Sequence, residues 1–419
     1  MKQQLRYTDI QLSIKSYDML KDFHLHLQNV YAQHYQTAYG CLWAPADITT
    51  IQHILYEASV KQQLSPEVIF VVGIGGSYLG TKAVYDALQL TVPIKVPIIF
   101  IDTFDPLDLL HAKEIIQHHA HQQKNVLVIC ATKSGTTLET VVNFQVLLDI
   151  MKTVYVHRWQ ELVVVISDVN SSLTAWAHEH GCLALSIPSL VGGRFSVFSA
   201  VGLFPLAVAG IDIMQLCTGA REYTERAFTQ ANHTSVQSAQ CIYQQYQQGI
   251  TIYDLFLFDK RLESIGKWYR QLFAESLGKE QEDGNKIKLV PTVSIGTLEL
   301  HSVAQLMLGA QPPVITTFIM VDHIKNDIRV KSDGNFYSPG HDTTVHTLMN
   351  RAAMATQKAY EVVGLSYDVL RLPEVTPYYI GQLLQLYMMQ VLYLSQLMQV
   401  NPFDQPHVEL YKTIMRQME

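Results

Sequence analysis

Three turns in this chain combine glycine, hydroxyl and basic residues in patterns that can bind an anion. Gly73-Ile74-Gly75-Gly76-Ser77 follows one apolar run, and Thr132-Lys133-Ser134-Gly135-Thr136-Thr137 follows another. Gly192-Gly193-Arg194-Phe195-Ser196 is the third. A glycine-rich turn between a strand and a helix lets backbone N–H groups approach an anion, and hydroxyls at a helix start add donors without much Lys or Arg. The first turn admits three readings: a plain tight turn, a phosphate site, or a dinucleotide site with Asp102 ending the next strand. The G-x-G-x-x-G fingerprint fails, because Tyr78 stands at the third glycine position. The P-loop pattern also fails, since Gly80 is followed by Thr81-Lys82. An N-cap needs one hydroxyl, whereas the second turn holds four. Two such turns opening on one sheet edge favour a phosphate ester. Glu139, just inside the following helix, complements the helix dipole. Arg194 behind two glycines either faces a site or sits on the surface at a helix start.

Three further residues are ambiguous singly. Gln271 and Glu275 are spaced i, i+4 and share one helix face. A Glu in an apolar surround can act as a general base, although an exposed helix Glu is the blander reading. His301 is one of 17 histidines. Lys412, near the C-terminus, reads alone as an ordinary terminal Lys.

Short, β-branched apolar runs set the frame for these turns. Glu67–Val72, Pro97–Ile101, Asn125–Ala131, Glu161–Ile166 and Cys182–Ile187 read as strands buried on both faces. Helical patterns such as Tyr78–Leu90 and Thr137–Met151 lie between them, which predicts a parallel sheet with helices on both sides. After Asp212 a second series begins. Ile250–Phe258, Lys288–Ile295, Val314–Val321 and Asp368–Leu372 read as strands, with helices over Lys267–Leu277 and Leu300–Leu308. The chain therefore reads as two α/β units, with a boundary inside 195–225 on a helix without a linker. The expected division is a helical segment over 1–45, α/β domains over 46–205 and 206–375, and a C-terminal helical segment over 376–419.

Composition bounds the function. The 419 residues carry 30 Lys+Arg against 37 Asp+Glu, a net charge of −7 with neutral His, and no long basic run, which disfavours nucleic acid. Apolar residues make up 48%, as in an ordinary globular chain with a large core. The five cysteines, at 41, 130, 182, 217 and 241, form no metal or disulfide pattern and read as free thiols in a reducing cytoplasm. The polar start MKQQLRYTDI lacks the apolar core of a secretory signal. Phe195–Ile211 is uncharged but short and broken by Pro205. Val375–Phe403 is uncharged too, but Gln382, Gln385, Gln390, Gln396 and Gln399 fall on half of a helical wheel. An amphipathic helix is expected there, packed on a core or a partner, and no membrane span.

Taken together and in order, these segments resemble the glucose-6-phosphate isomerase family over roughly residues 70–412. Ser189–Gly202 is similar to that family's glycine-glycine-arginine signature, and VVGIGGS, ATKSGTT and the Glu275-Ser276-x-Gly278-Lys279 run resemble its other motifs. The resemblance implies two sugar-isomerase (SIS-type) three-layer α/β/α sandwich domains with mainly parallel sheets, flanked by N- and C-terminal helical segments, with the site between the domains. It implies reversible aldose–ketose isomerisation of glucose 6-phosphate and fructose 6-phosphate through a cis-enediolate, in glycolysis and gluconeogenesis. By the same resemblance, Gly76, Ser77, Thr132, Ser134 and Thr137 hold the phosphate, Lys133 mainly by its backbone, and Gly193 belongs to the binding set. Arg194 steadies the enediolate, and Glu275 moves the proton between C1 and C2 with Gln271 as a substrate contact. His301 and Lys412 open the ring, and Gln405 is a further substrate contact. No metal or redox cofactor is implied. A cytoplasmic homodimer is, with His301 reaching across the interface.

The chain departs from that pattern where Pro406-His407 replaces the usual Trp-Gly, a glycine whose positive φ a histidine would resist. Ala274 also replaces the small residue, commonly Gly, before the base. The alternatives are an isomerase acting on mannose phosphates as well, a catalytically silent sugar-phosphate sensor, and a nicotinamide-dependent oxidoreductase. The intact Glu275, Arg194 and Lys412 count against the sensor, and Tyr78 against the oxidoreductase.

Overall fold

The computed structural model describes residues 14–281, 283–332, 336–337 and 342–418. The expected helical character of residues 1–13 lies outside the described residues. The nearly continuous apolar runs Pro66–Val72, Asn125–Ala131 and Val163–Ser167 form strands covered on both faces, while the edge runs Ile98–Ile101 and Leu183–Ser186 are only partly buried. Strands β1 (Pro66–Val72), β2 (Ile98–Ile101), β3 (Asn125–Ala131), β4 (Val163–Ser167) and β5 (Leu183–Ser186) make a fully parallel sheet in the order β2-β1-β3-β4-β5. The start expected at Glu161 is corrected, because Trp159–Leu162 is a single 3-10 turn. On one face of the sheet Phe70, Val128 and Val165 pack with Ile116, Phe144 and Leu147 of the helices Pro106–His121 and Leu138–Val154.

The second sheet is built from β6 (Ile252–Leu257), β7 (Val290–Ile295) and β8 (Val314–Val321), joined by β11 (Ser366–Leu372). All four run parallel in the order β11-β8-β6-β7. A two-residue antiparallel pair, β9 (Arg329–Val330) and β10 (Thr343–Thr344), lies between β8 and β11 in sequence and has no periodic signal to announce it. Phe256, Phe318 and Val369 of this sheet pack with Met307 and Tyr360 from the helices Ala304–Ala310 and Val345–Val363.

Contacts divide the chain into two compact units. One takes Leu27–Glu225 and Thr376–Gln385, and the other takes Met1–His26, Arg226–Val375 and Leu386–Glu419. The change from one to the other at Glu225/Arg226 falls inside the helix Ile213–Thr229, so no linker marks it and the 205/206 division does not coincide with it.

The Gln-rich segment corrects an expectation. Pro377–Leu397 is a helix, but Gln382, Gln385 and Gln390 are fully buried, so it has no solvent face there. Gln390 accepts a hydrogen bond from Tyr269 Oη at 2.5 Å and donates one to Ser238 Oγ. No described helix is long and apolar enough to cross a membrane. All five cysteines are free; four are buried and Cys241 is half-buried.

Candidate active site

In an open parallel sheet, ligands bind beyond the carboxyl ends of the strands, where the strand order reverses. In the first sheet the chain turns to β2 on one side of β1 and to β3 on the other, so the reversal lies between β1 and β3. The two turns that follow these strands are the glycine turn and the hydroxyl turn. Topology alone thus sets them side by side.

The glycine turn needs its glycines. Gly75 takes φ +57°, and Gly76 lies so close to the third turn that a Cβ there would collide with the Gly193 carbonyl group and stand 2.5 Å from Arg194 N. Ser196 Oγ donates to Gly193 O at 2.7 Å and approaches Gly76 O at 3.4 Å, tying the two turns together. Arg194 follows directly and is 4% exposed, with its guanidinium over the Phe195 ring. A buried Arg beside the glycine turn excludes the surface reading of this residue. Tyr78 hydrogen-bonds Asp102, and burial together with that carboxylate raises the Tyr78 pKa. The acid that a dinucleotide ribose would require is therefore already engaged.

The hydroxyl turn is held from below. Ser167, the last residue of β4, donates to Thr132 O at 2.6 Å, and Gly135 takes φ +70°. Thr137 occupies the N-cap of Leu138–Val154, yet its side chain makes no capping bond. Instead it receives a long 3.4 Å contact from buried Thr132 Oγ1. The turn's hydroxyls are not consumed in capping, which removes the bland reading. Ser134 is exposed and accepts from Thr136 N at 3.2 Å. Lys133 is half-buried, and burial lowers its pKa while Asp168 opposes that shift. Ser77 is half-buried on the same edge.

The remaining residues belong to the other unit. Gln271 and Glu275 are half-buried on the helix Glu263–Leu277, and Gln271 Nε2 donates to Glu275 Oε1 at 2.9 Å. This helix runs back along the sheet. Gly266, near its start, meets Leu257 at the carboxyl end of β6, and Phe273, near its end, stacks on Tyr253 at the amino end with ring centroids 5.3 Å apart. Glu275 therefore stands at the amino edge. His301 is exposed and ends a 3-10 turn, Leu298–His301, at the carboxyl edge of β7. Glu299 pins that turn by accepting from Ile295 N at 2.6 Å.

Gln405 is exposed before the turn Pro406–Val408, and Lys412 is half-buried on the helix Glu409–Arg416. His407 is not among the described residues with positive φ, so the backbone conflict expected for Pro406-His407 does not arise. Sequence reasoning gave Lys279 no role of its own. Its ammonium, on a side chain 8% exposed, donates to Asp404 Oδ1 at 2.5 Å, to Asp404 O at 2.8 Å and to the Asn401 carbonyl. It fixes the turn that leads into Gln405. Its place in the Glu275–Lys279 run was the available signal.

Comparisons with known proteins agree on one kinship. A family model described as phosphoglucose isomerase matches residues 61–419. A glucose-6-phosphate isomerase of Thermus thermophilus is 30% identical over 380 residues, covering 90% of this chain and 89% of the relative. One from Parabacteroides distasonis is 32% identical over 394 residues, covering 90% and 86%. Among solved structures, a Thermus thermophilus protein described only as hypothetical has a TM-score of 0.85 at 27% identity, covering 98% of this chain and 99% of its own.

Proposed function

The chain belongs to the phosphoglucose isomerase family, and from that premise we propose that it interconverts glucose 6-phosphate and fructose 6-phosphate through a cis-enediolate. Its two parallel-sheet units are the sugar-isomerase α/β type. In this reading the phosphate is held by Gly76, Ser77, Thr132, Ser134 and Thr137, with the Lys133 backbone, at the reversal between β1 and β3. Holding the phosphate far from the reacting carbons orients the open-chain sugar. Glu275 takes the proton from C2 and returns it to C1, and Gln271 steadies the carboxylate. General-base catalysis of this kind contributes about 10²–10⁴-fold. The electron pair left at C2 forms the C1=C2 bond and the C1 carbonyl pair moves onto O1, giving the enediolate whose oxygen charge Arg194 stabilises; a proton then passes from O2 to O1 as the C2 carbonyl forms and C1 takes its proton. His301 and Lys412 assist ring opening, and Gln405 contacts the substrate. Nothing in these steps needs a metal or redox group.

The single observation that carries the reading is the contact of Gly76 with Gly193, which sets the backbone of buried Arg194 beside the glycine turn. Each chain would supply Glu275 to one site and His301 to the other site of a homodimer, because the two stand at opposite sheet edges. Free cysteines fit a reducing cytoplasm as its place of work.

The test is a proton NMR time course of fructose 6-phosphate in D₂O with wild type and Glu275→Gln. Glucose 6-phosphate carrying deuterium at C2, lost in the variant, establishes reaction and base together. Binding without turnover in wild type would overturn the isomerase reading. Mannose 6-phosphate as a further product would show the broader isomerase.

A further inference from the structure

A second cavity lies away from all of these residues, between β6 and β7 on one side and the helices Ala304–Ala310 and Val345–Val363 on the other. Its volume is about 330 Å³, at the lower end of ligand pockets. Phe256, Met307, Leu308 and Tyr360 give it a mainly apolar wall. Ser294 and Thr356 add hydroxyls, and Asp254 adds the one carboxyl group, in the middle of a strand and 1% exposed. Its Oδ1 accepts from Thr292 Oγ1 at 2.6 Å and from Ser294 Oγ at 3.1 Å. Its Oδ2 is buried and has no hydrogen-bond partner among the described residues. A buried acceptor left without a donor has lost its water and gained nothing in exchange.

We propose that this cavity is a binding site for a small apolar molecule carrying one N–H or O–H donor, which it gives to Asp254 Oδ2. The walls argue for that class. They hold no Lys, Arg or His, and one acid, so a sugar phosphate has no cation to meet and is repelled. Water alone covers the wall poorly, since each buried water needs two to four polar partners and the lining beyond Asp254, Ser294, Thr356 and Tyr360 is apolar. A ring-sized apolar body with a single donor covers the wall and supplies the missing bond. The site also has a route to function. Leu300 and Val303 line it, and His301 lies between them in sequence. Filling the cavity therefore holds the turn that presents His301.

The probe is indole, with indene as the same shape lacking the N–H. Titration calorimetry and ligand-detected NMR are run on the full chain as wild type, Ala352→Phe and Asp254→Val. Ala352 is half-buried on the cavity wall, and a phenyl ring there fills the space. Indole should bind wild type at least tenfold more tightly than indene, and both should be lost in Ala352→Phe. Asp254→Val should bind the two equally. If that variant does not fold, wild type and Ala352→Phe still decide. Saturating fructose 6-phosphate should leave indole bound, which separates this site from the proposed sugar-phosphate site. Equal binding of indole and indene to wild type overturns the proposal, as does no binding, binding that survives Ala352→Phe, or displacement by fructose 6-phosphate.

Discussion

Glu275 and His301 stand at opposite edges of one four-stranded sheet, the first at the amino end and the second at the carboxyl end. A six-residue strand spans about 20 Å. One six-carbon sugar cannot bridge that gap, so a chain's own His301 cannot serve the substrate at its own Glu275. We propose that in a twofold dimer the partner's copy supplies the histidine. Mixing Glu275→Ala with His301→Ala should then restore activity that neither has alone. Random exchange makes half the dimers mixed, each with one intact site, so recovery should reach about a quarter of wild type. No recovery after subunit exchange would refute the shared site.

The contact between Gly76 and Gly193 is unequal in what it tolerates. A Cβ on Gly76 would lie 2.5 Å from Arg194 N and closer still to the Gly193 carbonyl, so backbone must move. A Cβ on Gly193 would meet Gly76 Cα at 3.8 Å, an ordinary contact. Gly76→Ala should cost at least about a hundredfold in kcat/KM by separating Arg194 from the phosphate turn, a small displacement with a large effect. Gly193→Ala should stay within a few-fold of wild type. Steady-state kinetics on both checks the asymmetry, and equal losses would refute it.

These relationships differ in how far the sequence discloses them. Continuous β-branched runs mark the strands well, and Asn125–Ala131 and Val314–Val321 begin and end where the apolar pattern does. The glycine and hydroxyl turns are legible because such clusters stand out against the apolar runs that precede them. The Gln helix is misread because a wheel counts polarity and not partners. Gln390 is satisfied inside by Tyr269 and Ser238, residues 121 and 152 positions away in sequence. His301 cannot be singled out from 17 histidines without knowing which sheet edge each reaches. Asp254 had a signal, an acid inside the run ITIYDLFLF where strands disfavour Asp.

Lys279 acts as a positioning residue. Its three hydrogen bonds hold the turn at Asn401 and Asp404, and Gln405 follows that turn directly. Lys279→Met keeps the bulk of the stem and removes the donors. Charge-assisted bonds of this kind contribute about 1.5–3 kcal/mol each, not additively. The variant should lose roughly tenfold or more in kcat/KM for the ring-closed substrate and melt several degrees lower, with Lys279→Arg recovering part of both. Limited proteolysis should cut faster between 401 and 412. Unchanged cleavage with unchanged kinetics would remove the role.

Gln271 orients the Glu275 carboxylate through the 2.9 Å bond to its Oε1. Gln271→Met should lower kcat by about tenfold, the value of one hydrogen bond near 1.4 kcal/mol. Substrate KM should change less than kcat if the bond acts mainly on the carboxylate. Deuterium exchange at C2 should slow in step with turnover. A change confined to KM would make Gln271 a binding contact only.

Asp368 should make this protein less stable as pH rises. It is 3% exposed on β11, and burial pushes its carboxyl up to about 7. Below the unfolded carboxylate value both states hold the proton, so the group is neutral to stability. Between that value and about 7 the folded chain keeps a proton that the unfolded chain releases. Stability falls across that window and stays low above it. The loss is on the order of 4 kcal/mol at most, since each pH unit across the window costs about 1.4 kcal/mol. Asp368→Asn keeps the shape and cannot ionise. Its melting temperature should exceed wild type by several degrees at pH 8 and approach it at pH 4.5. A difference of the same size at both pH values would show that ionisation of Asp368 is not what costs the fold its stability.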